Sequence, residues 1–241
     1  MSYRKLTYTF PGAIEIEEHR KGEYGAPGAR REKRKKPTPE QMVRRNQWNK
    51  EKRARHRLRK YFRKNDYLSC LTYRKEERPA DMEAAKKDFC AFMRKVRKEY
   101  RKRGAELRWI RNIEVGTRNG WHVHIVLNRI PDTDIILSEA WGHGRVVNKL
   151  LYESGEFRDL AAYITKSPKT DTRLREANYS TSKNLPLPEP EVKEYRRWKK
   201  WREIRIPDGY YLDQETLIEG ENPFTGGRYR MYTLLRVERS G

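Results

Sequence analysis

Residues 120–128, Gly-Trp-His-Val-His-Ile-Val-Leu-Asn, are the stretch from which the fold can be worked out. Bulky apolar residues alternate with other residues along it, and this period of two predicts a β-strand. The same alternation places His122 and His124 on the opposite face, where they point in one direction. Two imidazoles on one strand face can bind a divalent metal.

The segment before it, residues 108–115, also has the composition of a strand, and a short glycine-containing loop joins the two in a predicted hairpin. If Val115 pairs with Trp121, then Glu114 lies beside His122 and the apolar faces of both strands agree. A slip of one residue would turn both apolar faces toward water, so this register is well specified.

In this register Asn112 lies beside His124, and Glu114, His122 and His124 form one cluster. One carboxylate and two imidazoles are three potential metal ligands, which would leave coordination positions for a substrate oxygen. The alternative is a solvated hairpin with two histidines on its wet face, and the hairpin alone does not decide between them.

Positive charge dominates the composition. Of 241 residues, 56 are Lys or Arg and 34 are Asp or Glu, which gives a net charge of +22. The excess is concentrated in residues 1–65, where 21 Lys and Arg stand against 7 Glu. Polyanions are the natural partners of such a chain, and the lack of a long apolar helix favours nucleic acid over a membrane.

The two cysteines, Cys70 and Cys90, are too few for a disulfide framework or a zinc knuckle. Each has mainly apolar sequence neighbours, which predicts a buried thiol. The sequence has no recognisable signal peptide or membrane-spanning segment, and we therefore expect a reducing, cytoplasmic location.

The order of predicted elements indicates an α+β fold in three regions. Residues 1–65 are expected to form a basic N-terminal arm that contains a hairpin, a linker over residues 21–39 and a helix over residues 40–64. Residues 66–178 are expected to form a central antiparallel β-sheet flanked by helices. Residues 179–241 are expected to form an accessory region that contains a second β-hairpin.

Two basic segments are candidates for contacts with DNA. The helix over residues 40–64 is either a solvated arm or a docked helix. A second helix, predicted over residues 191–205, carries tryptophans that either pack in the core or stack on unpaired bases. The candidate DNA-binding residues are Arg44, Arg45, Arg53, Arg55, Arg57, Arg59, Lys60, Trp198 and Trp201.

A further helix is predicted over residues 157–166, and it carries Tyr163 and Lys166 on one face. A tyrosine beside a lysine, facing a metal-binding sheet, is a candidate nucleophile that forms a phosphotyrosine. The pattern is weak by itself, because a tyrosine on a helix usually serves in packing.

Three segments in this order resemble the HUH endonuclease superfamily, and within it the rolling-circle replication initiators (Rep proteins) with one catalytic tyrosine. They are the strand over residues 66–73, Glu114 with His122-Val123-His124, and Tyr163-Ile164-Thr165-Lys166. They correspond to that family's motifs I, II and III. In conjugative relaxases the tyrosine precedes the histidines, whereas here it follows them.

Single-tyrosine HUH transposases share this order and are the alternative within the superfamily. The resemblance covers roughly residues 66–170. Motif I, Leu71-Thr72-Tyr73, departs from the loop pattern of many viral Reps. The sequence has no Walker A segment, so the resemblance does not extend to a fused helicase.

The resemblance implies an RRM-like nuclease fold and a divalent metal, Mg²⁺ or Mn²⁺, bound by Glu114, His122 and His124. Tyr163 would attack single-stranded DNA, leaving a 5′-phosphotyrosyl bond and a free 3′-OH that primes replication, and reversal would rejoin the ends. Lys166 would lower the pKa of the tyrosine or bind phosphate. The implied partners are single-stranded DNA, origin hairpin or duplex DNA, and a host replication helicase and polymerase.

Two other classes of function fit part of the sequence. A non-covalent DNA-binding protein would explain the charge but not the alignment of Glu114 with His122 and His124. A metal-dependent nuclease that uses water would explain those ligands but would leave Tyr163 without a role. A covalent protein–DNA adduct that requires Tyr163 separates the three classes.

Overall fold

The computed structural model describes residues 2–20, 36–152, 157–196, 201–222 and 227–237. The helices are α1 (Pro39–Tyr61), α2 (Met82–Lys102), α3 (Thr133–Ala140) and α4 (Arg158–Thr165). The strands are β1 (Ser2–Thr9), β2 (Ala13–Arg20), β3 (Tyr67–Thr72), β4 (Trp109–Gly116), β5 (Trp121–Leu127), β6 (Val146–Leu150), β7 (Leu174–Thr181), β8 (Glu191–Arg196), β9 (Tyr210–Glu221) and β10 (Arg228–Arg236). Two antiparallel sheets with helices confirm the α+β prediction.

The contacts divide the chain into two units. Residues 1–48 and 188–241 form one unit, and residues 49–187 form the other, which we call the catalytic unit because it contains the candidate site. The N-terminal hairpin and the C-terminal strands, which the sequence analysis assigned to separate regions, therefore share a unit. Whether the three predicted regions fold or act independently stays a prediction.

The sheet of the catalytic unit has five strands in the order β6-β3-β5-β4-β7. Val115 pairs with Trp121, Glu114 with His122 and Asn112 with His124, so the predicted register of the hairpin is confirmed. Because side chains alternate along each strand, this register sends the apolar residues to one face and the polar cluster to the other.

The apolar face of this sheet is covered by α2 and α3. Asp81 caps α2 at its N-terminus, where its side chain accepts a hydrogen bond from the Ala84 amide at 2.8 Å. A stripe of α2 side chains at helical spacing packs on Val123, Ile125 and other inward-facing strand residues. The residues that the sequence pattern assigned to this stripe are all buried, namely Met82, Ala85, Phe89, Phe92, Met93, Val96 and Tyr100.

The other face of the sheet is covered by α4 and by the C-terminal half of α1. Ala54, Leu58 and Phe62 are fully buried in a cluster with strand residues such as Ile110 and residues of α4. The second half of the basic helix is therefore a layer of the catalytic unit and is not a solvated arm. Its sparse apolar residues suffice because the second half presents them at helical spacing on one side.

The second unit has a five-stranded sheet in the order β8-β1-β2-β10-β9. Both predicted hairpins are confirmed, because β1 pairs with β2 and β9 pairs with β10. The helix predicted over residues 191–205 is wrong, because Glu191–Arg196 forms the edge strand β8. Its Glu, Lys and Arg residues favour helix by propensity, but pairing with β1 and the stacking of Tyr195 on Tyr3 override that preference.

The predicted buried thiols are only partly correct. Cys70 on β3 is half-buried, but Cys90 is exposed. Cys90 lies on α2 opposite the buried stripe, and its apolar neighbours in sequence face the core without it. Among the described helices, none has the length and apolar character needed to cross a bilayer.

Candidate active site

The site is built on the two central strands, β4 and β5, on the face that packs against α4. His122 and His124 project from β5, and Glu114 projects from β4 beside them. Glu114 is only 2 % exposed, and its Oε2 atom lies 3.3 Å from Nε2 of His124. Burial of this carboxylate is tolerated because each oxygen has a polar partner.

Tyr163 and Lys166 reach this cluster from α4. Tyr163 Oη lies 3.0 Å from Nδ1 of His124, and the two rings meet edge-on with centroids 5.0 Å apart. Lys166 Nζ lies 2.9 Å from Glu114 Oε2 and 4.4 Å from the centroid of the Tyr163 ring. The structure therefore brings Glu114, His124, Tyr163 and Lys166 into one contiguous cluster.

Packing and two backbone contacts fix α4 over the sheet. Ala161 and Ile164 are fully buried beneath it, whereas Tyr163 remains 38 % exposed. Lys50 on α1 donates a hydrogen bond to the Thr165 carbonyl at 2.8 Å. A cation at the end of a helix also complements the helix dipole, so α1 helps to hold the tyrosine in place.

Asn112 connects the metal-ligand strand with this helix. Its side chain is fully buried, and its Nδ2 donates to Glu114 Oε1 at 3.0 Å and to the Lys166 carbonyl at 2.9 Å. The sequence analysis placed Asn112 beside His124 but gave it no role. The signal that could have found it was a polar residue on the buried side of a central strand.

Cys70 is a second residue of the site that sequence reasoning missed. It pairs with His124 across β3 and β5, and its Sγ lies 3.9 Å from Nδ1 of His122. Burial would raise the pKa of this thiol, but hydrogen bonds with His122 and His124 lower the pKa to about 6. The missed signal was the alternation of β3, which points Cys70 to the histidine face.

The protonation of His124 and Tyr163 follows from the same surroundings. Burial would lower the pKa of His124, but hydrogen bonds with Cys70 and Glu114 raise it to about 9. Burial raises the pKa of Tyr163 to about 12, and the negative charge of Glu114 acts in the same direction. The phenol is therefore protonated at neutral pH, and its ionisation requires added positive charge near its oxygen.

The donor set fits a divalent cation in part. Adjacent ligands of an octahedral ion with bonds of about 2.1 Å are about 3 Å apart, close to the 3.3 Å between Glu114 and His124. His122 is farther away, because its ring centroid lies 6.1 Å from that of His124. Among the residues that the structure describes, no three His, Cys, Asp or Glu side chains have the arrangement of a metal site.

A cavity of about 420 Å³ opens beside Lys166, and its volume falls in the range of small-ligand sites. Lys166 and Arg173 supply positive charge to it, whereas Glu51 and Asp171 supply carboxylates. Asp171 forms an ion pair with Arg173 at 2.9 Å, and hydrogen bonds from Arg173 lower the pKa of Asp171 to about 2. The cavity adjoins the reaction site and is lined by both charge signs.

The candidate DNA-binding residues of α1 differ in exposure. Arg44, Arg45 and Arg53 are exposed, whereas Arg59 is only 1 % exposed. The three that are partly buried are Arg55, Arg57 and Lys60. Arg57 donates to the Leu185 carbonyl at 2.9 Å, which assigns it a structural contact. Only the exposed arginines present their charge to a ligand in this conformation.

Of the two tryptophans, Trp198 lies outside the described residues. Trp201 is partly buried and meets Tyr3 edge-on with ring centroids 5.2 Å apart. The guanidinium groups of Arg20 and Arg230 lie 5.1 and 5.5 Å from its centroid. These contacts agree with the packing alternative for Trp201, and base stacking by Trp201 stays a prediction.

A buried carboxylate, two imidazoles and a phenol on one sheet face are the groups of a candidate phosphoryl-transfer site. Residues 66–168 match the family model of replication-associated proteins of the ORF2 type. This part of the chain contains every residue of the cluster, and the match indicates a replication initiator with DNA as its partner. No curated protein and no solved structure matches the chain significantly.

Proposed function

We propose that this chain initiates DNA replication by nicking single-stranded DNA with Tyr163, as a single-tyrosine HUH endonuclease. The observation that carries the proposal is the 3.0 Å separation between Tyr163 Oη and Nδ1 of His124, beside the buried Glu114. The match to replication-associated proteins supports DNA as the substrate class.

Glu114, His122 and His124 are the residues that would hold a divalent cation, Mg²⁺ or Mn²⁺. When bound, the cation would polarise a phosphate oxygen and offset the negative charge of the transition state. One carboxylate with two imidazoles suits either ion when water or phosphate oxygens fill the remaining positions.

The Tyr163 oxygen would attack the phosphorus in line with the departing 3′-oxygen. The bond from Tyr163 to phosphorus forms while the bond from phosphorus to the 3′-oxygen breaks. The phenol loses one proton and the 3′-oxygen gains one, so the products are a 5′-phosphotyrosyl linkage and a free 3′-OH. The reverse reaction rejoins the strand, and a host polymerase and helicase would use the 3′-OH for synthesis.

Lys166 would favour ionisation of the phenol, because its ammonium group lies 4.4 Å from the centroid of the Tyr163 ring. Asn112 would act as a positioning residue, since its amide holds both the Glu114 carboxylate and the end of α4. These two roles link the ligand strand to the nucleophile helix.

The test is formation of a covalent adduct on a random-sequence pool of labelled single-stranded DNA in the presence of Mn²⁺. We expect a detergent-resistant adduct that Tyr163→Phe abolishes and that Tyr152→Phe retains. Tyr152 is the matched control because it is 78 % exposed and lies outside the cluster. We also expect His122→Ala and Glu114→Gln to lose the adduct.

The other outcomes separate the alternatives. Cleavage without an adduct, retained in Tyr163→Phe, would favour a nuclease that uses water. Binding without cleavage would favour a non-covalent DNA-binding protein. Adducts followed by joining to a second DNA molecule, without use of the 3′-OH in replication, would favour a transposase.

A further inference from the structure

A stripe of positive charge runs along the outer side of α2, on the sheet face opposite Tyr163. Its members are Lys87, Arg94, Lys98 and Arg101, and all four side chains are exposed. They recur at spacings of seven, four and three residues, which places them on one side of the helix. At about 1.5 Å per residue, the stripe is roughly 21 Å long.

Carboxylates do not neutralise this stripe. Glu83 pairs with Lys86 at 3.4 Å, and Glu99 pairs with Lys102 and Arg103 at 2.7 and 2.9 Å. Asp88 faces away toward His143. Among the described residues, none forms an ion pair or a hydrogen bond with the side chains of the stripe. The charge is therefore available to a ligand.

The requirements of the fold do not explain the stripe. The core fixes only the inner side of α2, where all the buried residues of the helix lie. The helix dipole favours Arg101 in the last turn, but it does not favour Lys87 or Arg94. Arg94 and Lys98 are four residues apart, and like charges at this spacing repel each other. A polyanion would relieve that repulsion.

We propose that the stripe binds the sugar-phosphate backbone of duplex DNA. Its exposed side has no aromatic residue on which unpaired bases could stack, which disfavours single-stranded DNA. The apolar side of α2 is buried in the core, so the helix has no apolar face to insert into a lipid surface. A straight row of cations without either feature fits a regular row of phosphates.

The inference deepens the proposed function and rests on it for the biological role, since origin DNA contains duplex beside the nicked strand. The stripe and Tyr163 lie on opposite faces of the catalytic sheet. The stripe therefore cannot bind the nucleotides that Tyr163 attacks. Removing its charge should weaken duplex binding and leave cleavage of a short single strand unchanged.

The experiment compares two triple variants of equal charge. Lys87→Gln/Arg94→Gln/Lys98→Gln removes three cations of the stripe, and Lys64→Gln/Lys75→Gln/Arg78→Gln removes exposed cations elsewhere in the catalytic unit. Arg101 is retained because it contributes to the last turn of the helix. Thermal unfolding by circular dichroism establishes that both variants fold.

The readout is the salt dependence of binding to a random-sequence blunt duplex. Each backbone contact contributes about 0.9 to the slope of log K against log salt concentration. We expect the stripe variant to lower the magnitude of this slope by about 2 to 3 and the control variant to lower it by less than about 1. Equal slopes for the two variants would overturn the proposal.

Two parallel measurements separate this inference from the proposed function. Adduct formation on short single-stranded DNA should be the same in the stripe variant and the wild type. Failure of the wild type to form adducts would contradict the proposed function, whereas the slopes would still decide the stripe. Loss of binding to phosphatidylserine vesicles with unchanged duplex binding would overturn the assignment to DNA.

Discussion

The ammonium group of Lys166 lies 2.9 Å from the buried carboxylate of Glu114, at the position where a metal-bound carboxylate would face its cation. The ion pair compensates the charge of Glu114 in the metal-free protein. Binding of a divalent ion by Glu114 must therefore displace Lys166, and the freed ammonium group then lies beside Tyr163. This exchange makes the state of Lys166 part of the chemistry of the site.

Replacement of Lys166 by methionine should strengthen binding of Mn²⁺ while weakening adduct formation. The competing ion pair is lost, and a difference of about 1.4 kcal/mol corresponds to roughly tenfold in affinity. Electron paramagnetic resonance of free Mn²⁺ measures the affinity directly. Lys169→Met, which removes an exposed lysine from the next turn of chain, should leave affinity unchanged. Weaker binding in Lys166→Met would contradict the exchange.

Replacement of Asn112 by alanine should destabilise the protein by about 2–4 kcal/mol, because it leaves the Glu114 carboxylate and the Lys166 carbonyl without a donor. Urea unfolding measures the change. Asn184→Ala removes the hydrogen bond from the Asn184 side chain to the Leu107 carbonyl and should cost about 1 kcal/mol. Similar losses for both variants would argue against a special position for Asn112.

Truncation of Leu58 to alanine should destabilise the catalytic unit by about 3–5 kcal/mol, because the side chain is fully buried beneath the sheet. Met42 lies on the same helix but is 49 % exposed, so Met42→Ala should change stability by less than about 0.5 kcal/mol. If Leu58→Ala behaved like Met42→Ala, α1 would be a solvated arm after all. Unfolding midpoints in urea distinguish the two cases.

Metal binding should protect Cys70 from alkylation and leave Cys90 reactive. Cys70 Sγ lies 3.9 Å from Nδ1 of His122, whereas Cys90 is exposed on α2. The pKa of Cys70 is lowered to about 6, so the reactive thiolate predominates above that pH and declines below it. Mass spectrometry after iodoacetamide treatment with and without Mn²⁺ measures both sites. Equal protection of the two thiols would contradict a cation site beside His122.

The sequence was sufficient for the parts of the fold that rest on local periodicity. Alternation in β4 and β5 fixed the register that places Glu114 beside His122, because a slip would have exposed Val115 and Trp121. The apolar stripe of α2 was equally clear. In each case the pattern of one or two neighbouring segments carries the information.

Contacts between distant segments were not predictable in the same way. β8 became a strand because β1 offered an unpaired edge, a partner that lies almost 190 residues earlier in the chain. Asn112 acquires its role only when α4 lies over the sheet, and Cys70 acquires its role only when β3 pairs with β5. Propensity does not encode such pairings, which arise from tertiary packing.

The most direct test of the central claim is to find which atom of the protein carries the DNA. Adducts formed on single-stranded DNA with Mn²⁺ are digested with nuclease and protease, and the modified peptide is sequenced by mass spectrometry. We expect a nucleotide joined through its 5′-phosphate to Tyr163. A nucleotide joined to any other residue, or cleaved DNA without a modified peptide, would contradict the mechanism.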